Sequence, residues 1–392
     1  MRILFLSSRI PYPPDRGDKV RTLFLLRQFA AIGDVCLVSL VDPVLDRESI
    51  INMREEFPNS HFIAHSRSRA LKNLVRNLFS RLPFQTAYYQ NTKLMKLLRE
   101  LRSNNKFDLV YCHLIRMVPY ASMFDHHRVI LDYTDCISLE YTRSLGHLGT
   151  LRRLFFSCEA KRTAAYELHV ANLFAENWVI SPIDINTLGL ADHHRSIVMP
   201  NQVRIPDAVP QGSYQGILIF TGNMSVAHNV VAAQNLCRKI MPALLRDFPN
   251  LELRIVGADP CPEVQALEGV NHTKVLGFVE DLYTQLFAAD IFVAPMYFSA
   301  GIQNKALEAM ACGLPVVTTG NVANSLDAQD EVELMVADDN LGFVQKTHKL
   351  IENPETRAQI GRAGRSLVLS KYSSEAVSKL IRERVQNIID NQ

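Results

Sequence analysis

Phe292-Val-Ala-Pro-Met-Tyr-Phe-Ser-Ala-Gly-Ile-Gln-Asn-Lys-Ala-Leu-Glu-Ala-Met-Ala-Cys-Gly-Leu-Pro-Val-Val317 holds a short apolar run, a loop with Gly301, a helical pattern and a second apolar run. The first run, Ile291–Ala294, stops at Pro295 and reads as a buried strand. Ile302–Ala311 has apolar residues at helical spacing, and Gly313 and Pro315 separate it from the next strand, Pro315–Thr318. Strand, helix and strand in so few residues form a crossover in a parallel sheet, and ligands of such sheets sit in the loops after the strands. Gly301 lets backbone amides approach an anion, and the helix start that follows favours negative charge. Lys305, in the first turn, is placed to neutralise a diphosphate. Glu308, three residues on and on the same face, is placed to accept both hydroxyls of a ribose. The same spacing also describes an ordinary surface Lys–Glu pair, and these residues alone leave both readings open.

The rhythm extends in both directions. Upstream in the same half, Ile217–Phe220, Leu251–Val256 and Lys274–Leu276 read as strands, with helices over His228–Leu245 and Leu282–Ala288. Before a proline-bearing polar stretch, Met199-Pro-Asn-Gln-Val-Arg-Ile-Pro-Asp-Ala-Val-Pro-Gln-Gly-Ser213, a first half repeats the pattern. Its strands are Ile3–Leu6, Val35–Val41, His61–Ala64, Leu109–Cys112 and Val129–Leu131, and Lys19–Ala31 and Lys93–Arg102 are helical. Alternation of this kind predicts two doubly wound α/β domains, residues 1–200 and 201–372, with the break close to Pro200. A last helix covers 373–392, with Val377, Leu380, Ile381, Val385, Ile388 and Ile389 forming one apolar stripe able to dock across the lobes.

The 392 residues are 47% hydrophobic and 21% charged, with a mean hydropathy of zero, which excludes disorder as the main state and allows two cores. The formal charge of +2 is a cancellation: residues 1–196 hold 26 basic and 19 acidic residues, leaving 16 basic and 21 acidic in the remainder. Seven scattered cysteines without a C-x-x-C pair fit reduced thiols and a cytoplasmic protein. No apolar run is long enough to span a bilayer or to form a leader peptide, so any membrane contact is expected to be peripheral, on the inner face of the plasma membrane. After the first strand only Gly17 stands where a dinucleotide loop would need three glycines, so no NAD site is expected. Neither a G-x-S-x-G, an H-E-x-x-H nor a D-x-D pattern occurs, and no metal ligand or cofactor is expected.

Asn304-Lys-Ala-Leu-Glu-Ala-Met-Ala-Cys-Gly-Leu-Pro-Val-Val317, preceded by Ile291-Phe-Val-Ala-Pro295 and Val275-Leu-Gly-Phe-Val-Glu-Asp-Leu282, resembles the nucleotide-sugar signature of the group 1, family 4-like, retaining glycosyltransferases. The opening Met1-Arg-Ile-Leu-Phe-Leu-Ser-Ser-Arg-Ile-Pro-Tyr-Pro-Pro-Asp-Arg-Gly-Asp-Lys-Val-Arg21 and Thr221-Gly-Asn-Met-Ser-Val-Ala-His-Asn-Val230 resemble one branch, the sugar transferases of exopolysaccharide and exosortase (PEP-CTERM) systems. The resemblance implies the GT-B architecture, two Rossmann-like domains facing a cleft, with the last helix crossing back to the first domain. It implies transfer of a sugar, with retention, from a nucleotide donor, expected to be UDP-linked, to a glycan or polyprenyl-linked acceptor. Glu308 then binds the donor ribose, and the amides of Gly301, Ile302 and Gln303 hold the diphosphate with Lys305. Val279 matches the place where the base is read, Gly222 the glycine that admits the donor phosphate, and Gly17 the first-lobe glycine loop. His113 matches the cleft histidine. Asp135, in Leu131-Asp-Tyr-Thr-Asp-Cys-Ile-Ser-Leu-Glu140, is a candidate acceptor-binding carboxylate or else a helix cap.

Two departures stand out. Ala300 occupies the place of a glutamate that usually faces the donor sugar, and Asn223 to Asn229 lack the usual Arg and Lys after the phosphate glycine. Lys305 is the expected replacement, with Arg9 and Arg16 as weaker ones. A nucleotide-sugar 2-epimerase and a non-catalytic binding protein on the same scaffold are the alternative readings. From Arg67 to Lys106 ten basic residues face one acid, Glu100. Here Leu71, Leu74, Val75, Leu78 and Phe79 share a helix face, and Arg67, Arg69, Lys72 and Arg76 accompany them. Such a helix either lies on anionic lipid or packs its apolar stripe on the sheet. No recognition motif for nucleic acid accompanies the charge.

Overall fold

The computed structural model describes residues 1–15, 17–134, 136–144, 149–190, 195–207, 209, 214–297 and 302–390. The chain divides into two units, Met1–Asn201 together with Ser378–Gln392, and Gln202–Val377. In the first unit the strands are β1 (Arg2–Ser7), β2 (Asp34–Val41), β3 (Ser60–Ala64), β4 (Leu109–His113), β5 (Val129–Thr134), β6 (Glu176–Val179) and β7 (Ser196–Val198). They pair in parallel in the order β3-β2-β1-β4-β5-β6-β7. Strands covered on both faces need apolar side chains throughout, hence the unbroken runs Ile3–Leu6 and Leu109–Cys112, all buried. The order reverses between β1 and β4, so the loops after these two strands are where a ligand finds room.

An aromatic group fixes that end of the unit. Phe5 stacks on Tyr111 with ring centroids 4.4 Å apart, and Phe29 stacks on Trp178 at 6.0 Å. Phe29 belongs to the helix Gly17–Ile32, so this packing holds the helix on the sheet with Gly17 just beyond β1. Sequence reading missed β6, because Glu176 and Asn177 interrupt its apolar character. Both are buried: Arg384, 208 residues on, donates from Nε to Glu176 Oε1 at 2.9 Å, and Asn177 Nδ2 donates to the nearby Ala171 carbonyl at 2.8 Å. Arg384 sits on the last helix, Ser374–Asp390, whose Val377, Ile381, Val385 and Ile388 are buried along the expected stripe.

The second unit contains β8 (Ile217–Thr221), β9 (Glu252–Val256), β10 (Thr273–Gly277), β11 (Ile291–Ala294), β12 (Val316–Thr318) and β13 (Met335–Val336), all parallel, in the order β10-β9-β8-β11-β12-β13. Its reversal lies between β8 and β11. The helix expected over His228–Leu245 is three segments, Ala227–Asn235, a π-helical turn Leu236–Ile240, and Met241–Asp247. Pro242, which has no N–H to give and would clash with the carbonyl four residues back in a regular helix, accounts for the widened turn. The helix expected from Ile302 begins at Asn304, leaving Ile302 and Gln303 in the loop.

Candidate active site

In the second unit the loops after β8 and β11 meet at the reversal. Gly222 follows β8, and Lys305 is the second residue of the helix Asn304–Ala311. Lys305 Nζ donates to Asn229 Oδ1 and lies 5.3 Å from the centroid of the Phe220 ring. Asn229 is itself buried and anchored, its Nδ2 donating to the Asn223 carbonyl at 2.8 Å. A Cβ on residue 222 would meet Asn229 Nδ2 at 2.9 Å and Lys305 Nζ at 3.1 Å, and one on residue 257 would lie 1.7 Å from the Gly222 carbonyl oxygen. Only glycines allow β8 and β9 to end this close together with the ammonium beside them.

Burial pulls the Lys305 ammonium down to about 8, partly offset by Glu308, and pushes the Glu308 carboxyl up to about 7, partly offset by Lys305. His228 is lowered by burial and by Lys305. Each charge of the pair is thus short of solvation. An anion beside Lys305 and hydroxyl donors beside Glu308 would restore it. Gln303 is buried at the cap position of the helix, and Ile302 is half-buried before it. Gly301 and Ala300 lie outside the described residues. Val279 follows β10, half-buried against the core, just after Gly277 with its φ of +65°.

In the first unit Gly17 opens its helix with nothing within 4 Å of where a Cβ would be. His113 closes β4 and is 3% exposed. Thr22 donates its hydroxyl hydrogen to the Asp18 carbonyl at 2.6 Å, so the 3.1 Å contact between Thr22 Oγ1 and His113 Nε2 assigns the ring proton to Nε2. Nδ1 then carries the lone pair, buried and with no partner among the described residues. Burial lowers His113 to about 4, against a smaller opposing pull from Asp132, so the ring is neutral at pH 7.

Asp132, three residues before Asp135 in the sequence, is entirely buried and fully engaged. Arg21 Nε donates to Oδ2 at 3.0 Å, Tyr111 Oη to the same oxygen at 2.5 Å, and Thr134 N to Oδ1 at 2.8 Å. It therefore supports structure: Thr134 has a φ of +55°, costly for a β-branched residue, and the carboxylate holds it there. Asp135 and Arg16 lie outside the described residues. Arg9 donates from Nε to Tyr89 Oη at 3.0 Å. In the basic tract Arg67, Lys72 and Arg76 are exposed, whereas Arg69 is half-buried and donates to Asn91 Oδ1 at 3.0 Å. Among the described residues no three His, Cys, Asp or Glu side chains are grouped to hold a metal, and no helix is long and apolar enough to cross a membrane.

Sequence reading missed Asn229 and Arg21. Their partners are 76 and 111 residues away, and no local pattern announces such pairs.

The family described as Glycosyl transferases group 1 matches residues 215–353, within the second unit. A protein of Klebsiella pneumoniae, "Uncharacterized 44.6 kDa protein in cps region", is 19% identical across 96% of this chain and 97% of its own length. The GDP-mannose-dependent monoacylated alpha-(1-6)-phosphatidylinositol monomannoside mannosyltransferase of Corynebacterium glutamicum is 29% identical over 39% of this chain and 42% of its own. HepE of Anabaena, solved in complex with UDP, superposes with a TM-score of 0.65 at 14% identity, covering 99% of this chain and 100% of that one. The fold is GT-B, and with the matched domain the chain is a glycosyltransferase.

Proposed function

We propose that this enzyme transfers a sugar from a nucleoside diphosphate donor, UDP-linked, to a glycan or polyprenyl-linked acceptor in cell-surface polysaccharide synthesis, with retention at the anomeric carbon and without a metal ion. The observation that carries the proposal is the Lys305 ammonium held on Asn229 beside Gly222, with the half-buried Glu308 one turn further along the same helix in the matched domain. UDP bound to HepE supports the choice of nucleotide, and the cps region of the Klebsiella relative supports the choice of product.

Transfer breaks the bond between the anomeric carbon and the diphosphate oxygen, joins the acceptor oxygen to that carbon and releases the acceptor's proton. Negative charge grows on the departing diphosphate. Lys305 and the amides of Gly301, Ile302 and Gln303 meet that charge, cation and N–H groups stabilising it as the bond breaks. Glu308 holds the ribose and so fixes where the diphosphate lies, and Val279 borders the base. Gly17 and His113 serve the acceptor side from the first unit. His113 acts as a neutral, buried ring hydrogen-bonded to Thr22 in the helix opened by Gly17, and Asp135 offers the acceptor a carboxylate.

The test is release of UDP from a panel of UDP-sugars in the presence of membrane extract as acceptor source, with and without EDTA. Acceptor-dependent release that survives EDTA and falls at least a hundredfold in Glu308→Ala is expected. Loss on adding EDTA removes metal independence, and isomerised nucleotide sugar without UDP release makes the enzyme an epimerase.

A further inference from the structure

The tract with ten bases and one acid has no part in the donor chemistry, and its first segment is arranged unlike an ordinary core helix. The helix Arg67–Arg76 is fixed on one side by buried Ala70 and by Asn73, whose Nδ2 donates to the Gln90 carbonyl at 2.7 Å. The other side is bare: Leu71 is 63% exposed, Val75 68%, and Phe79, just past the helix end, 97%. Arg67, Lys72, Arg76 and Arg81 surround these side chains, exposed and paired with no carboxylate among the described residues.

The following stretch turns onto the helix Thr150–Ala171. Phe84 N donates to Glu159 Oε1 at 2.6 Å, and the Phe84 ring stacks on Phe155 at 5.4 Å. That helix opens with exposed Arg152, Arg153 and Leu154, so apolar side chains among free cations continue on a second element. Between residues 80–82 and this helix lies a cavity of about 660 Å³, bordered by Arg81, Leu82, Tyr166 and His169.

Apolar side chains held out in water and ringed by unpaired cations match the boundary between acyl chains and anionic headgroups. A second copy of the same patch would bring cation against cation. We propose that this surface docks on an anionic lipid bilayer, with Leu71, Val75, Leu78 and Phe79 entering the headgroup layer and Arg67, Lys72, Arg76 and Arg81 meeting lipid phosphates. Arg69, tied to Asn91, takes no part. The inference needs no nucleotide, so its failure leaves the donor reading standing, and the reverse.

Purified protein is spun with vesicles of phosphatidylcholine, with or without phosphatidylglycerol. Sedimentation with the anionic vesicles alone is expected, weakening as salt shortens the screening length. Each basic residue at such a surface accounts for about a fivefold change in partitioning, so Lys72→Glu with Arg76→Glu should lose at least tenfold. Phe79→Trp should shift its emission to the blue on anionic vesicles. An unchanged circular dichroism spectrum and melting temperature in these variants show that they are folded. Variants that sediment like the parent, or a Phe79→Trp emission that does not move, overturn the assignment. So does a parent that ignores vesicles and is dimeric by light scattering while the variants are monomeric.

Discussion

Asn229 is the residue that decides where the Lys305 ammonium sits, since its amide oxygen takes the hydrogen bond and its own nitrogen is pinned to Asn223. A hydrogen bond to a charged group contributes about 1.5–3 kcal/mol, so Asn229→Ala should weaken UDP binding tenfold or more by calorimetry. Asn229→Asp should weaken it further, because its carboxylate neutralises the ammonium that the diphosphate needs. If Asp binds UDP better than Ala, Lys305 is not the phosphate cation. Glu308 sets the pH dependence. With its carboxyl at about 7, it accepts ribose hydroxyls as a carboxylate above that pH and loses this capacity as pH falls through it. UDP-glucose affinity should therefore drop between pH 8 and 5.5, by roughly fifteenfold, since a loss of about thirtyfold at Glu308 is offset about twofold as the Lys305 ammonium becomes fully protonated. The diphosphate of a nucleotide sugar does not titrate there, and Glu308→Gln should bind weakly with no drop on acidification, only the roughly twofold rise from Lys305.

At the scale of elements, the ends of β8 and β9 touch through Gly222 and Gly257. Gly257→Ala places a methyl group against backbone, so the strand ends must part and Lys305 loses its setting. The expected outcome is loss of UDP-induced stabilisation, whereas Gly149→Ala, with open space around the added methyl group, should leave that stabilisation intact. Much of this scale was legible beforehand. Ile217–Phe220 and Ile291–Ala294 read as strands because a parallel sheet buried on both faces tolerates little else, and Gly313 and Pro315 punctuate the crossover between β11 and β12. Lys305 and Glu308 were legible because three residues of spacing on a helix is a local fact. β6 was not, since Glu176 and Asn177 look like surface residues until Arg384 and the Ala171 carbonyl are brought to them. The engagement of Asp132 was not legible for the same reason: its ion pair with Arg21 joins residues 111 apart. Taking away Arg21 (Arg21→Met) strands that charge in the core and should cost the first unit about 3–5 kcal/mol in urea unfolding.

For the molecule as a whole, His113 makes one contribution to the response to acid, and the raised carboxyls of Glu308 and Glu167 oppose it over the same window. The folded-state value of His113, about 4, lies below the ordinary 6.5, so the unfolded chain binds a proton that the folded one refuses. Its contribution to stability is full above pH 6.5 and is lost as pH falls from there to 4, on the order of 3 kcal/mol in all. His113→Gln should therefore gain stability relative to the parent as pH falls through that window, read as the difference between the two melting temperatures, and a difference that does not change with pH would remove His113 from the acid response. The charge imbalance between the halves also belongs to this scale: the excess of bases lies in residues 1–196, which include the uncovered patch around Phe79, while the acid-rich remainder holds Lys305. The central claim is that Lys305 and Glu308 form the donor site, and thermal unfolding in the presence of UDP tests it most directly. UDP at a hundred times its dissociation constant should stabilise the parent by about 2.7 kcal/mol and leave Glu308→Ala and Lys305→Ala unmoved. Equal stabilisation of parent and both variants, or none of the parent by any nucleoside diphosphate, would contradict it.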